Sequence, residues 1–470
     1  MLQEKAINLK DFEEKLFAAV CRAGREVYAE ALTLWDEELH KNRDRSVYRD
    51  KGKPKTTIKT LMGEVEYHRH VYSVKDSGGA RATVYLLDEA IGKTGSGFFS
   101  EAFLERVGDA VCELPYRKAA AELSELTGQP ISHGAVWNVT QQLGRRVDEI
   151  EQENAEKAHR NKGAGEIEAK LLFEEQDGIY LHLQGKDRKK HGKGHEMKLA
   201  IAYDGAEKKG KDRYVLSGKV ACANFEGIEK FYLRKEGAIA ANYNADEIEL
   251  RVLGGDGGIW IKRSIGADTV YQLDTFHRNR AILRAAPDPE TRNAMLKALY
   301  SKETDYLLTY IETLADSGLE EKQEEALREL FAYFTNNKDG LIGYNRRGLA
   351  LPEPPEGKVY RRLGAMESNI FSIIGNRMKG RRKCWSIEGG NNLAMLLCLK
   401  ATGKLHSTLQ SLASVMPERY AEEVISGLSS AKVKESAGKG YNGFDSAALP
   451  ASQKWLKAIV GLRPLSELRF

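Results

Sequence analysis

The sequence predicts a multidomain α/β chain. Three features point there: its length, a run of β-type alternation between residues 168 and 274, and helical periodicity on both sides of that run. The chain has 470 residues, which at about 150 residues per domain means two to four units. Apolar residues make up 41%, enough for several cores. No stretch of about 18 apolar residues occurs, so no membrane span is expected. The charged N-terminus, MLQEKAINLKDFEEKLF, lacks the apolar segment of a secretory signal, and a cytoplasmic protein is expected. Cys21, Cys112, Cys222, Cys384 and Cys398 are odd in number, widely spaced and without a CxxC pair. They read as buried reduced thiols, not as a disulfide framework or a cysteine zinc site. Net charge is only +4, but basic residues cluster at 41–59, 186–198 and 377–383. Phosphate neutralisation is a local event, so these clusters matter more than the total, although each can also be an ordinary solvated surface.

In chain order, Leu9, Phe12, Leu16, Val20, Val27, Ala31 and Leu34 recur at helical spacing and predict one long helix over 8–41. A basic extended stretch, NRDRSVYRDKGKPK, leads into a β-hairpin. Ile58, Thr60 and Met62, then Val65, Tyr67, Arg69 and Val71, alternate with polar neighbours, and Gly63 sits at the turn. A strand near Ala82–Leu87 is expected to join the hairpin. Residues 98–150 are helical. Inside them a helix over Arg117–Leu126, a break at Thr127–Gly128–Gln129–Pro130, and a helix capped by Ser132 and carrying Val136, Trp137, Val139 and Leu143 have the outline of a helix-turn-helix. An ordinary helical hairpin has the same outline. The polar stretch 150–165 ends in glycines and marks a boundary.

From residue 168 the pattern turns to strands: AKLLFEEQDGIYLHLQ, then EMKLAIAYDG, then RYVLSGKVACA. A helix over Asn224–Ala240 follows, then a fourth strand ELRVLGGDG, a short helix, a fifth strand ADTVYQLD, and a helix FHRNRAILRAA. Three meandering strands followed by helix, strand, helix, strand, helix is the element order of an RNase H-like domain. Residues 287–360 interrupt it with charged helices and a proline-rich loop, as an all-α insertion would. Residues 361–400 return to an apolar helix pattern rich in basic residues, and the tail from 404 ends in a basic helix. The predicted organisation is therefore an α+β N-terminal region (1–97), a helical DNA-binding domain (98–160), a first part of the catalytic core (165–286), the insertion (287–360), a last part of the core (361–403) and a tail (404–470).

An acid stands at each place where such a core can present a metal ligand. Asp177 lies in the first strand, in FEEQDGIYLHLQ. Asp256 ends the fourth, in VLGGDGGIWIK, where glycines allow close approach of a substrate backbone. Glu367 lies on the helix after the insertion, in GAMESNIFSIIGNRMKGRRKCWS. Phosphoryl transfer needs positioned divalent ions with hard oxygen ligands, so a few carboxylates suffice for Mg²⁺ or Mn²⁺. With 68 acids in the chain, each alone would be an ordinary surface or turn residue; joint placement in the element order singles them out. Glu174, Glu175 and Asp204 are rivals for the first position. Asp274 and His277, in QLDTFHRNRAI, are three apart at a helix start. Asp274 can be a simple N-cap, or the pair can orient the site, with Arg278 and Arg280 near phosphate. Arg377, Lys379, Arg381, Arg382 and Lys383 are candidate phosphate contacts. His191 and His195, in KKHGKGHEMK, read as a basic loop more readily than as a zinc site. The GGDGG run lacks the lysine and hydroxyl of a nucleotide-binding loop.

Together these residues resemble a known family. YRDKGKPKTTIKTLMGEVEYHRHVY, YLLDEAIG, LPYRKAAAEL with ISHGAVWNV, the QDG strand, HEMKLAIAYDG, GGDGGIWIK, LDTFHRNRAI and MESNIFSIIGNRMKGRRKCWS are similar to bacterial insertion-sequence transposases of the ISLre type, related to the Mutator-like branch of DDE transposases. The likeness runs from about residue 45 to about 400. It implies that Asp177, Asp256 and Glu367 form a metal-binding triad, and that Asp274 and His277 match the D-x-x-H motif of that branch. It also implies that the N-terminal hairpin and helices, with Arg117, Lys118 and His133 as candidate contacts, recognise terminal inverted repeats in double-stranded DNA. Similar proteins often carry Glu-Gly where Glu367 here precedes Ser368 and Asn369, so Glu388, in WSIEGG, stands as the alternative third acid. The expected activity is metal-dependent cleavage of DNA and transfer of the cut strand to target DNA by a homo-oligomer that holds two ends. The competing expectations are a non-catalytic DNA-binding descendant of such an element, and a nuclease that cuts without joining.

Overall fold

A computed structural model describes residues 8–75, 79–91, 99–160, 165–380 and 382–412. Its backbone contacts divide the chain into two compact units, one running to Val139 and including the residues from Leu409, the other running from Thr140 to Thr408. Among the described residues no helix is long and apolar enough to cross a membrane.

The first unit opens with α1 (Leu9–Asn42), capped by Asn8, whose side chain accepts from the Asp11 N–H. Only the second half of α1 packs. Leu32 and Trp35 meet Ile58, Val65, Tyr67 and Leu87 in a small core, whereas Phe17 and Val20 are exposed. After β1 (Arg49–Asp50), strands β2 (Lys55–Thr60) and β3 (Gly63–His68) form the expected hairpin, with Gly63 at φ +111° in its turn. The expected third strand does not join it. β4 (Tyr72–Lys75) and β5 (Arg81–Val84) pair with β1 in a separate sheet of order β1–β4–β5, and the chain from Leu86 turns into α2 (Leu86–Ala90). The expectation failed because alternation shows that a segment is a strand but not which neighbour it pairs with. α3 (Glu101–Glu113) and α4 (Tyr116–Thr127) follow, and α4 ends in left-handed Gly128. The Ser132 hydroxyl accepts from the Ala135 N–H at 3.0 Å and starts α5 (His133–His159). This helix runs on through the polar stretch after residue 150, where a boundary is expected from the sequence, to His159.

The second unit is built on a five-stranded sheet of order β10–β7–β6–β11–β12. β7 (Gly194–Tyr203) pairs antiparallel with both β6 (Leu171–His182) and β10 (Val220–Asn224), while β6, β11 (Leu250–Gly255) and β12 (Thr269–Leu273) run parallel. Between β6 and β7 the supposed basic loop holds a short helix, α6 (Gly185–His191). The predicted third strand is broken at Gly218. Its first half, β9 (Tyr214–Ser217), pairs instead with β8 (Gly205–Lys208) in a small sheet completed by β13 (Lys358–Val359). α7 (Ile228–Ala240) covers one part of the main sheet through Ile239 and Phe231, and α8 (Ile259–Lys262) follows β11. Between β12 and β13 lie α9 (Thr275–Ala285), α10 (Pro289–Ser301), α11 (Thr304–Ala315) and α12 (Glu321–Asn336). Ile282, Met295, Leu307, Ile311, Leu327 and Phe334 from these helices share a core with Leu253 and Leu273 of the sheet.

Residues 361–400 do not form one helix. α13 (Met366–Asn369), a π-helical stretch (Ile370–Gly375) and α14 (Asn376–Met378) form one broken rod, which is separated by a bend from α15 (Ile387–Thr402) and then α16 (Leu405–Ser411). The remainder of the tail lies outside the described residues. Cys112, Cys222 and Cys398 are buried, and Cys21 and Cys384 half-buried.

α5 and α15 cross where α5 carries Gly144, and a Cβ there would lie 2.6 Å from the Asn392 Cα. Beside that crossing the Asn392 side chain donates to Gln141 at 2.7 Å. Gly144→Ala is therefore expected to destabilise the protein by about 1–3 kcal/mol through overpacking, although in an open helix the same change would stabilise it. The midpoint of urea unfolding measures which effect wins.

Candidate active site

Three parallel strands bring three aspartates into one row. The last paired residues of β11 are Gly255 with Gln176 of β6 on one side and with Leu273 of β12 on the other. One step further along each strand stand Asp177, Asp256 and Asp274. Neighbouring strands are about 4.8 Å apart, so the three carboxyl-bearing residues sit side by side where the parallel ladder ends. The Asp274 N–H donates to the Gly255 carbonyl at 2.7 Å, extending the ladder to the row itself. Gly257, at φ +91°, turns the chain sharply after Asp256, and the Asp256 carboxylate accepts from the Gly258 N–H at 2.9 Å. From α12, the Tyr333 hydroxyl donates to the Asp256 carbonyl at 2.7 Å and braces the loop.

Glu367 reaches the same place from a distant part of the chain. Glu175, two residues before Asp177 and therefore on the same face of β6, accepts the backbone N–H groups of Gly364, Ala365 and Met366 at 2.9, 3.2 and 3.2 Å. Its carboxylate also accepts the Tyr203 hydroxyl at 2.7 Å. It thus holds the first turn of α13, whose free N–H groups need partners, and Glu367 is the next residue. A small pocket results, lined by Asp177, Asp256, Asp274, His277 and Glu367, with Phe276 on its wall.

The rival acids are elsewhere. Glu174 is buried in an ion-pair cluster with Lys235 at 2.5 Å and Arg251 at 2.9 Å. Asp204 is fully buried and paired with Lys358 at 2.6 Å. Glu388 is paired with Arg145 at 3.0 Å on the surface. None of them lines the pocket. Glu175 does, but its oxygens are spent on holding α13. Its role escaped the sequence reading because its partners lie about 190 residues away.

Asp274 is an N-cap and more. Its Oδ1 accepts the His277 backbone N–H at 2.9 Å and meets His277 Nδ1 at 3.0 Å. The Asp274 hydrogen bond, helped by the charges of Asp177 and Asp256 and opposed by burial, raises the His277 pKa. Burial works against ionisation of Asp274, yet the His277 side chain and N–H outweigh it and hold that carboxyl below its usual range. Burial pushes Asp177 up to about 6, against the Gly178 N–H and His277 and with the charge of Asp256 adding to it.

The candidate DNA contacts divide. Arg117, Lys118 and His133 are exposed around α4 and the start of α5. Arg280 is exposed, its guanidinium 5.7 Å from the Phe276 ring. Arg278 is half-buried and donates to the Leu341 carbonyl at 2.6 Å. Arg377 is buried over the Trp385 ring, so it packs the core rather than facing solvent. Lys383 donates to the Asn376 and Arg377 carbonyls, closing the end of α14. Lys379 and Arg382 are exposed, and Arg381 lies outside the described residues.

A model of an uncharacterised protein family, UPF0236, matches residues 2–411, and the chain belongs to that family. A UPF0236 protein of Caldanaerobacter subterraneus subsp. tengcongensis is 24% identical over 409 residues, covering 86% of this chain and 80% of its own length. A second from that strain, with the same identity and coverage, has a name that joins eleven locus designations. A UPF0236 protein of Streptococcus gallolyticus is 22% identical over 405 residues, covering 84% of each chain.

Two expectations follow from the site. Asp177 has a folded pKa of about 6, above the value near 3.9 of an unfolded aspartate. Its contribution to stability is full below pH 4 and is lost as pH rises to 6. Asp177→Asn should therefore stabilise the metal-free protein at pH 8 by about 1–2 kcal/mol, allowing for partial exposure, and change little at pH 4; thermal unfolding at the two pH values tests this. Glu175→Gln sets an amide donor against backbone donors and should cost about 1–3 kcal/mol. Any Mn²⁺ binding in the pocket, measured by calorimetry, should weaken as well, because Glu367 loses its support.

Proposed function

We propose that this member of the UPF0236 family is a DNA transposase of the DDE type, with Asp177, Asp256 and Glu367 as its metal-binding triad. The observation that carries the reading is the single pocket lined by those three acids together with Asp274 and His277. The strand order β10–β7–β6–β11–β12, with two antiparallel followed by two parallel pairings, supports reading the second unit as an RNase H-like core in which α9–α12 form an insertion. The relative whose name joins eleven loci of one strain adds support, since one protein carried at many loci is what a self-propagating element leaves behind.

The donor set suits a hard divalent cation. Asp177, Asp256 and Glu367 offer carboxylate oxygens, and among the described residues none of the three forms an ion pair with Lys or Arg. Converging acids without a cationic partner favour Mg²⁺ or Mn²⁺. When bound there, such ions stabilise the attacking and leaving oxygens of an in-line phosphodiester displacement. The chain's own residues do the positioning. Asp274 orients His277, which with its raised pKa sets a proton and partial positive charge beside the acids. Phe276, 46% exposed on the pocket wall, offers a ring on which a base can stack, and Arg280 beside it suits a phosphate. Water is the nucleophile for cleavage; the freed 3′-hydroxyl then attacks a phosphodiester of target DNA, breaking one P–O bond as another forms. Arg117, Lys118 and His133 present the exposed basic edge through which the first unit would hold terminal inverted repeats, and two such ends require a homo-oligomer.

The test is cleavage of DNA carrying the gene's own flanking ends, with Mg²⁺ or Mn²⁺, by wild type and by Asp256→Ala. Cleavage by wild type, its fall to the uncatalysed background in the variant, and undiminished DNA binding are expected. Equal cleavage by both overturns the triad. Specific binding without cleavage by either points instead to a DNA-binding descendant, and cleavage without joined products points to a nuclease.

A further inference from the structure

The first unit contains a cluster that the reading above does not use. His40 lies near the end of α1, Asp50 in β1, and His70 between β3 and β4. One ligand atom from each lies within 4.8 Å of the other two. We propose that His40, His70 and Asp50 form a separate divalent transition-metal site, suited best to Zn²⁺, carried by the first unit alone.

The two histidines are held from behind, as metal-binding imidazoles are. Asp36, one helical turn before His40 and fully buried, meets His70 Nδ1 at 2.7 Å and accepts the His70 backbone N–H at 3.0 and 3.1 Å. A carboxylate on one ring nitrogen fixes the tautomer and leaves the other nitrogen's lone pair for a metal. His40 Nδ1 meets the hydroxyl of fully buried Tyr72 at 3.1 Å in the same manner. The rings are stacked, 3.8 Å between centroids and 19° from parallel, so their free nitrogens can face one region. Asp50 is anchored by the Gly52 N–H at 2.9 Å and paired in register with Tyr72, which keeps its carboxylate beside the rings. Arg43, the nearby cation, is turned to the carbonyls of His40 and Tyr48 and does not occupy that carboxylate.

The donor chemistry selects the ion. Two imidazoles and one carboxylate suit zinc and its neighbours, whereas Mg²⁺ takes oxygen ligands. Zinc ligands lie about 2.0–2.2 Å from the ion, and atoms already this close need only small side-chain rotations. Three protein ligands leave a fourth position to water. The ion would tie the end of α1 to the strands that follow it.

The experiment uses the full chain in an Asp177→Asn, Asp256→Asn background, so that the pocket of the second unit is disabled. The protein is stripped with chelator, reloaded with Zn²⁺ or Co²⁺, desalted and assayed for metal content and for the visible Co²⁺ spectrum. About one equivalent retained per chain is expected, with a four-coordinate Co²⁺ spectrum, loss of both in His70→Gln, and a rise in unfolding temperature with Zn²⁺. Asp50→Asn is the fold-neutral variant, because its amide oxygen can keep the Gly52 bond; affinity should fall at least about tenfold. No metal retained by the folded parent, or retention unchanged by Asp50→Asn, overturns the proposal.

Discussion

The second unit depends on one carboxylate. Glu175 faces the same side of β6 as Asp177 and takes three consecutive backbone N–H groups at the start of α13. Everything between β6 and that turn, including β13 and the helices α9–α12, has to fold so that residues 364–366 arrive at this acid. Burial pushes the Glu175 carboxyl up, while Tyr203 and the three N–H groups favour its charged form. A buried carboxylate is tolerable only with such donors. The interaction converts a long excursion of the chain into a fixed position for Glu367, which sequence separation alone would leave free.

The pocket itself is built from destabilising choices. Five acids, Glu175, Asp177, Asp256, Asp274 and Glu367, line it where the parallel pairing ends, and burial opposes ionisation of at least Glu175, Asp177 and Asp274. His277 compensates in part. Strain of this kind concentrates where a site must bind charge. Elsewhere in the unit buried acids are neutralised directly, Glu174 by Lys235 and Arg251, Asp204 by Lys358. The contrast between neutralised and un-neutralised acids distinguishes framework from site more clearly than acidity alone.

That contrast also explains what could be read in the sequence. Most strands and helices from 168 to 286 were legible because alternation and helical spacing are local, but α6 and β8 were not. Asp256 and Asp274 were picked out because each stands at the end of a strand, and Asp177 because it precedes a glycine inside an apolar strand. The pairing of β1, β4 and β5, the break at Gly218 and the polar continuation of α5 were not, since partner choice and docking are set by distant residues. Glu175 could not be told from Asp177 by type or periodicity; only its partners at 364–366 separate them. Arg377 looked like its basic neighbours, but Trp385 across the bend buries it. The histidine cluster was illegible for the same reason: its members lie on α1, β1 and the segment after β3, and only the fold brings them together.

The proposed triad of Asp177, Asp256 and Glu367 would hold divalent metal in one pocket. A crystal of the protein soaked in Mn²⁺ and measured for anomalous scattering tests it directly. An anomalous peak bounded by those three carboxylates is expected. A peak beside Glu388, or an empty pocket with Mn²⁺ bound elsewhere, would contradict it.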